Sequence, residues 1–114
     1  MQPIFADCEE IRMGSPYSCC SVSFDENASF VLPDRNWQNL WSRSDDGRYF
    51  ALVAWDITNN EPGFRVVVID AIANSVTEHQ RNAGCCDSIQ WVDNQFDWTA
   101  FPDGNGSVST ECHA

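Results

Sequence analysis

The chain has 114 residues, 43% of them hydrophobic, and a formal net charge of −11, because seventeen Asp and Glu face six Arg and no Lys. That length suits one domain and leaves too little for two independent cores, while five Trp and seven Phe exclude a disordered acidic tail. Six Arg cannot neutralise a phosphate backbone under this charge, so nucleic acid and anionic membrane are excluded as partners, and no apolar run approaches the roughly 20 residues that span a bilayer.

Signals in residues 1–16 are weak. Met1-Gln2-Pro3 lacks the basic start of a signal peptide, which points to a cytoplasmic protein. Residues 8–12 suggest a short helical turn closed by Gly14-Ser15-Pro16. From Tyr17 to Phe24 the chain alternates, with Cys20, Val22 and Phe24 against Ser21 and Ser23, which predicts a half-buried strand. Asp25-Glu26-Asn27 turns the chain, and Phe30-Val31-Leu32 reads as a short strand stopped by Pro33. Trp37, Leu40 and Trp41, spaced i, i+3 and i+4, suggest one helical turn.

Ser44-Asp45-Asp46-Gly47 predicts a tight turn with Gly47 at positive φ. Residues 48–56 and 64–70 then predict an antiparallel hairpin across the polar loop 59–63. The β-branched run Val66-Val67-Val68-Ile69 marks its second strand as central and covered on both faces. Ser75–Glu78 reads as strand, and residues 88–92 and 95–101 as a further pair around a two-residue turn at Asp93-Asn94. Residues 102–107 have turn composition. The expected fold is a single, mostly β domain over 1–114. It carries one antiparallel meander sheet, at most one or two short helical turns, and loose ends at about 1–16 and 102–114.

Cys8, Cys19, Cys20, Cys85, Cys86 and Cys112 allow three bridges, but adjacent cysteines bridge each other poorly, so each Cys-Cys pair needs outside partners. Reduced thiols suit a cytoplasmic chain, and disulfides a periplasmic or secreted one. No C-x-x-C or H-x-x-x-H spacing points to zinc.

Residues 41–52 and 89–100 resemble each other at an offset of 48, when Asp45 is set on Asp93. The Ser44-Asp45-Asp46-Gly47-Arg48-Tyr49 turn and the strand pair after it resemble blade hairpins of WD40-like and TolB-like β-propellers over 41–70 and 89–100. A ring needs about four blades, and this chain holds at most two, so the likeness implies hairpins in a sheet and no propeller. As a small, very acidic, lone domain the chain also resembles the immunity proteins that bacteria pair with secreted toxins. That likeness is one of type, without a motif. It implies a non-enzymatic antitoxin or toxin inhibitor whose partner is a basic toxin or effector.

No catalytic constellation stands out. Asp45, Asp46, Asp56 and Asp70 do not match an EF-hand loop, and Gly14-Ser15-Pro16 is not a nucleophile elbow. Cys85 with His79 lacks the positive field that lowers a thiol pKa. The expectation is therefore no catalytic residue, no metal and no cofactor. The candidate partner-binding residues are Trp91, Asp93, Gln95 and Asp97, an aromatic anchor on an acidic face, followed by Asp45, Asp46 and Glu61 in two turns. The alternatives are a secreted, disulfide-stapled β domain, acting as a periplasmic inhibitor or adhesion module, and a small hydrolase.

Overall fold

The computed structural model describes residues 2–10, 18–25, 30–101 and 104–110. Its centre is the most apolar stretch of the chain. Strands β4 (Tyr49–Trp55) and β5 (Gly63–Asp70) pair antiparallel without a break, from Tyr49 opposite Asp70 to Trp55 opposite Phe64. Side chains alternate across this pair, so it feeds two cores. Ala51, Val53, Phe64, Val66 and Val68 enter one, and Phe50, Leu52, Ala54, Val67 and Ile69 enter the other. Covering both faces is what the β-branched run requires, and Val67 is fully buried.

The main sheet extends from this hairpin to both sides. On one side lie β3 (Trp37–Arg43), β2 (Ser18–Phe24) and β1 (Pro3–Glu10). On the other, β6 (Ser75–Glu78) and the two-residue β7 (Asn82–Ala83) both pair with β5. The last three strands, β8 (Cys85–Val92), β9 (Gln95–Phe101) and β10 (Asn105–Ser109), leave the meander and form a second sheet, in the order β10-β9-β8. Cys86, Phe96 and Ala100 from this small sheet cover the first core. Phe5, Val22, Phe24, Phe30 and Leu32 from the N-terminal ribbon and the segment after it cover the second. The fold is all β, with no helix among the described residues.

Several sequence expectations change. Trp37, Leu40 and Trp41 lie on strand β3, not on a helical turn. Positions four apart share a face in a strand as they do in a helix, and both Trp residues join the second core while Leu40 packs on the first. Phe30-Val31-Leu32 is not a strand. Its outer residues pack while Val31 is 85% exposed. Strand order also reaches into both stretches read as loose ends, as β1 and β10. Cys8, Glu9 and Glu10, read as the start of a helical turn, are the end of strand β1, which pairs with β2. The readings at residues 11–17, Glu26-Asn27, Pro102-Asp103, Cys112 and His113 lie outside the described residues.

Gly47 takes the positive φ expected of it, at 76°. Cys8 and Cys20 form a disulfide between β1 and β2, so one member of the Cys19-Cys20 pair has an outside partner. The register there shifts between Ala6 and Glu9, so Asp7 and Cys8 together oppose Cys20.

Candidate acidic interface

The turn at Asp93-Asn94 holds both residues at positive φ, 47° and 64°, and closes a tight hairpin with Val92 opposite Gln95. Residues that face each other across a strand pair share a sheet face, so this turn decides what accompanies the carboxylates. Gln90 opposes Asp97 and Trp91 opposes Phe96. The outer face therefore carries Gln90, Val92, Gln95 and Asp97, with Ser107 and Ser109 beside them on β10. Gln95 donates an Nε2–H to Asp97 Oδ1 at 2.9 Å, which orients that carboxylate.

Trp91 is not on this face, which corrects the expectation that it shares the acidic side. Counting parity through the loop fails because a two-residue reversal exchanges odd and even positions between strands. Trp91 points inward, 4.7 Å from the Phe96 ring and stacked on Tyr49 at 6.2 Å with an interplanar angle of 20°. It helps seal the first core.

The Ser44–Gly47 turn is held from within. Gly47 N–H donates to Ser44 O, and Tyr49 N–H to Ser44 Oγ, while Asp46 Oδ1 accepts from Ser44 Oγ at 2.6 Å and from Arg48 N–H at 3.0 Å. These bonds, the Ser44 hydroxyl first, hold the Asp46 carboxyl below its ordinary range. Asp46 is thus a turn-former, while Asp45 beside it is exposed. Arg48 packs 5.0 Å over the Tyr49 ring and forks onto Asp70, Nε to Oδ1 at 3.1 Å and Nη2 to Oδ2 at 2.9 Å. Since Trp91 stacks on Tyr49, the turns at Asp45-Asp46 and Asp93-Asn94 come to the same end of the sandwich.

Glu61 is at the other end. It closes the β4–β5 loop, where Asn59 and Asn60 take φ of 54° and 61° and Thr58 bridges to Glu61. The strands of that hairpin separate it from Asp45-Asp46 by roughly 20 Å of seven-residue β4. The seven candidates therefore split into Asp45, Asp46 and Asp93 at one end, Gln95 and Asp97 on the outer face of β9, Trp91 inside, and Glu61 apart.

Sequence reading missed the arginine network beside Glu61. Arg65 bonds Asp56 Oδ2 at 2.6 Å and reaches Glu78 Oε1 at 3.4 Å, Arg35 pairs with Glu78, and Arg81 donates to the Asp56 and Glu61 carbonyls at 2.9 and 3.1 Å. Arg65 above all holds the Asp56 carboxyl low. The partners stand 9 to 43 residues apart in the chain, so no local pattern reports them. Asp56 and Asp70 consequently sit at opposite ends of the hairpin, each on its own arginine, and the four aspartates weighed as a cluster do not converge.

Among the described residues, grooves open beside these elements. One of about 320 Å³ lies by Arg35, Trp55 and Asp56. Another, of about 590 Å³, runs between β10 and the β6–β7 connection. Among the described residues no group of three or more His, Cys, Asp or Glu is placed to hold a metal ion, and no helix is long and apolar enough to cross a membrane. No family model, curated protein or solved structure matches the chain.

Proposed function

We propose that this chain is a non-enzymatic acidic binding protein that neutralises a basic protein partner by covering its working surface, as an immunity protein or inhibitor does for a toxin or effector. One observation carries the reading. Arg35, Arg48, Arg65 and Arg81, four of the six arginines, are spent on the chain's own Glu78, Asp70 and Asp56, while Asp45, Asp93 and Glu61 stand exposed. A surface so arranged attracts a cationic rim over the length at which salt screens, about 8–10 Å at ordinary ionic strength, and raises the association rate.

The test is kinetic. With the basic partner captured from the source organism, the association rate should fall by roughly tenfold or more as salt rises from low to high. An Asp93→Asn, Asp97→Asn double variant, which removes both charges while Asn keeps the left-handed turn position of residue 93, should weaken binding by about tenfold or more, with little loss of folding stability. Unchanged affinity of the double variant at both salt extremes, or a salt-independent association rate, removes this reading.

The Cys8–Cys20 bridge favours a second reading, a secreted, disulfide-stapled binding domain. Thiol counting on the denatured protein, prepared from its native compartment, separates the two. All six thiols free returns the chain to a reducing compartment, and at most four free supports the oxidising one.

A further inference from the structure

The larger groove is lined by five consecutive residues of one strand, 105–109, with His79, Gln80 and Asn82 opposite. A groove on the face of a sheet meets alternate residues only. Both parities line it when it follows the strand's edge. The register shows which backbone groups look into it. Ala100 N–H donates to Gly104 O at 3.0 Å and Thr110 N–H to Asn94 O at 3.3 Å, which puts the hydrogen-bonded pairs with β9 at the even positions of β10. The N–H and C=O of Asn105 and Ser107 therefore point away from β9, and no described strand pairs with them.

Edges of sheets are ordinarily guarded. β1 carries Pro3, exposed Asp7 and Glu9, and a bulge with Asp7 at φ 53°. β6 has four residues and ends on Glu78. On β8, the Gln38 side chain occupies both backbone groups of Cys86, and the register breaks between Cys86 and Ser88. β10, Asn-Gly-Ser-Val-Ser, has no charge, no proline and an unbroken register from Asn105 to Ser109.

We propose that β10 accepts an extended strand of the basic partner, which adds to the small sheet as a fourth strand. This deepens the binding-protein reading and rests on it only for the partner's charge. Side chains of the added strand alternate. The inner set lies beside Trp98 and Val108 and is apolar. Gly106 permits this surface, because a Cβ there would stand 2.5 Å from the Trp98 ring that lies against β10. The outer set is basic, since it looks across the small Ser107 toward Asp97, its cross-strand neighbour. A second copy of this chain is the poorer occupant, because it brings its own −11 and sets carboxylate against carboxylate.

The probe is a synthetic peptide of about nine residues alternating valine and arginine, with a block peptide of the same composition as the charge control. The alternating peptide should bind about tenfold tighter than the block peptide and slow hydrogen exchange at the Asn105 and Ser107 amides. Ser107→Pro removes the outward N–H at a position where an edge strand tolerates proline, and should abolish the preference. Should Ser107→Pro fail to fold, Ser107→Lys serves, since it sets a charge on the edge and beside Asp97. Equal binding of the two peptides, a preference that survives the folded Ser107 variant, or a parental dimer that Ser107→Lys dissolves would each overturn strand addition. Failure of both peptides to bind even at low salt counts also against the acidic-surface reading, so the two fail separately.

Discussion

Gln38 shows how much one side chain decides. It is 2% exposed, and its amide accepts from Cys86 N–H at 3.1 Å and donates to Cys86 O at 2.8 Å, as a strand's own backbone would. The bond ties β3 of the main sheet to β8 of the small one across 48 residues of chain. Gln38→Ala leaves a buried donor and acceptor without partners, so it should cost about 2–4 kcal/mol in urea unfolding. Gln38→Leu should do no better despite its closer volume, and a Leu variant as stable as the parent would show that packing alone joins the sheets. Cys86 itself is sealed, and burial pushes its thiol up to about 12. Nothing in the sequence singled out Gln38, because a lone Gln among Trp and Asn residues carries no pattern.

At the scale of elements, the β4–β5 hairpin was legible because its signal is local: a turn with Gly47, alternation, then four β-branched residues in a row. The strand pair at Asp93-Asn94 was legible for the same reason. What failed there was one parity count, and with it the position of Trp91. The helical turn at Trp37 failed because a spacing of four residues fits both periods. Nor could local pattern reveal that β8, β9 and β10 form a separate sheet, since that depends on contacts between distant segments. Val67 tests the central assignment. It faces Leu52 and Glu78 across its two neighbours with no exposed surface. Val67→Asp should leave the chain unfolded by circular dichroism, because an unpaired buried charge costs several kcal/mol against a total of roughly 5–15. A folded variant would mean that the second core is open to water.

The whole molecule answers to pH through groups that pull one way. Hydrogen bonds from Arg48 first, and the Ile72 and Ala73 amides with it, hold the Asp70 carboxyl below its ordinary range. A folded pKa below the unfolded one gives stability that is present above about pH 4 and lost as pH falls through the folded value. Asp70→Asn should therefore cost about 1–2 kcal/mol at neutral pH, and that cost should shrink as acid protonates the Asp70 carboxyl in the folded parent. A deficit that persists unchanged in acid would assign the loss to packing. Burial pushes the His79 imidazole down, so it withholds a proton that the unfolded chain accepts below about 6.5, and stability starts to drain there. His79→Gln should flatten that first part of the acid limb.

The unguarded edge of β10 also has a colloidal consequence. At neutral pH two such edges are kept apart by the −11 that each molecule carries, a repulsion belonging to the whole particle and to no group on the strand. Toward the isoelectric point near 4.2 that repulsion vanishes while the open backbone groups remain. Turbidity and thioflavin binding should then rise together in the parent around pH 4, and Ser107→Lys should suppress both, because it restores a local charge where the global one has gone. The protein's solubility is in this sense kept by distance, and its narrowest margin is the pH at which it has no net charge.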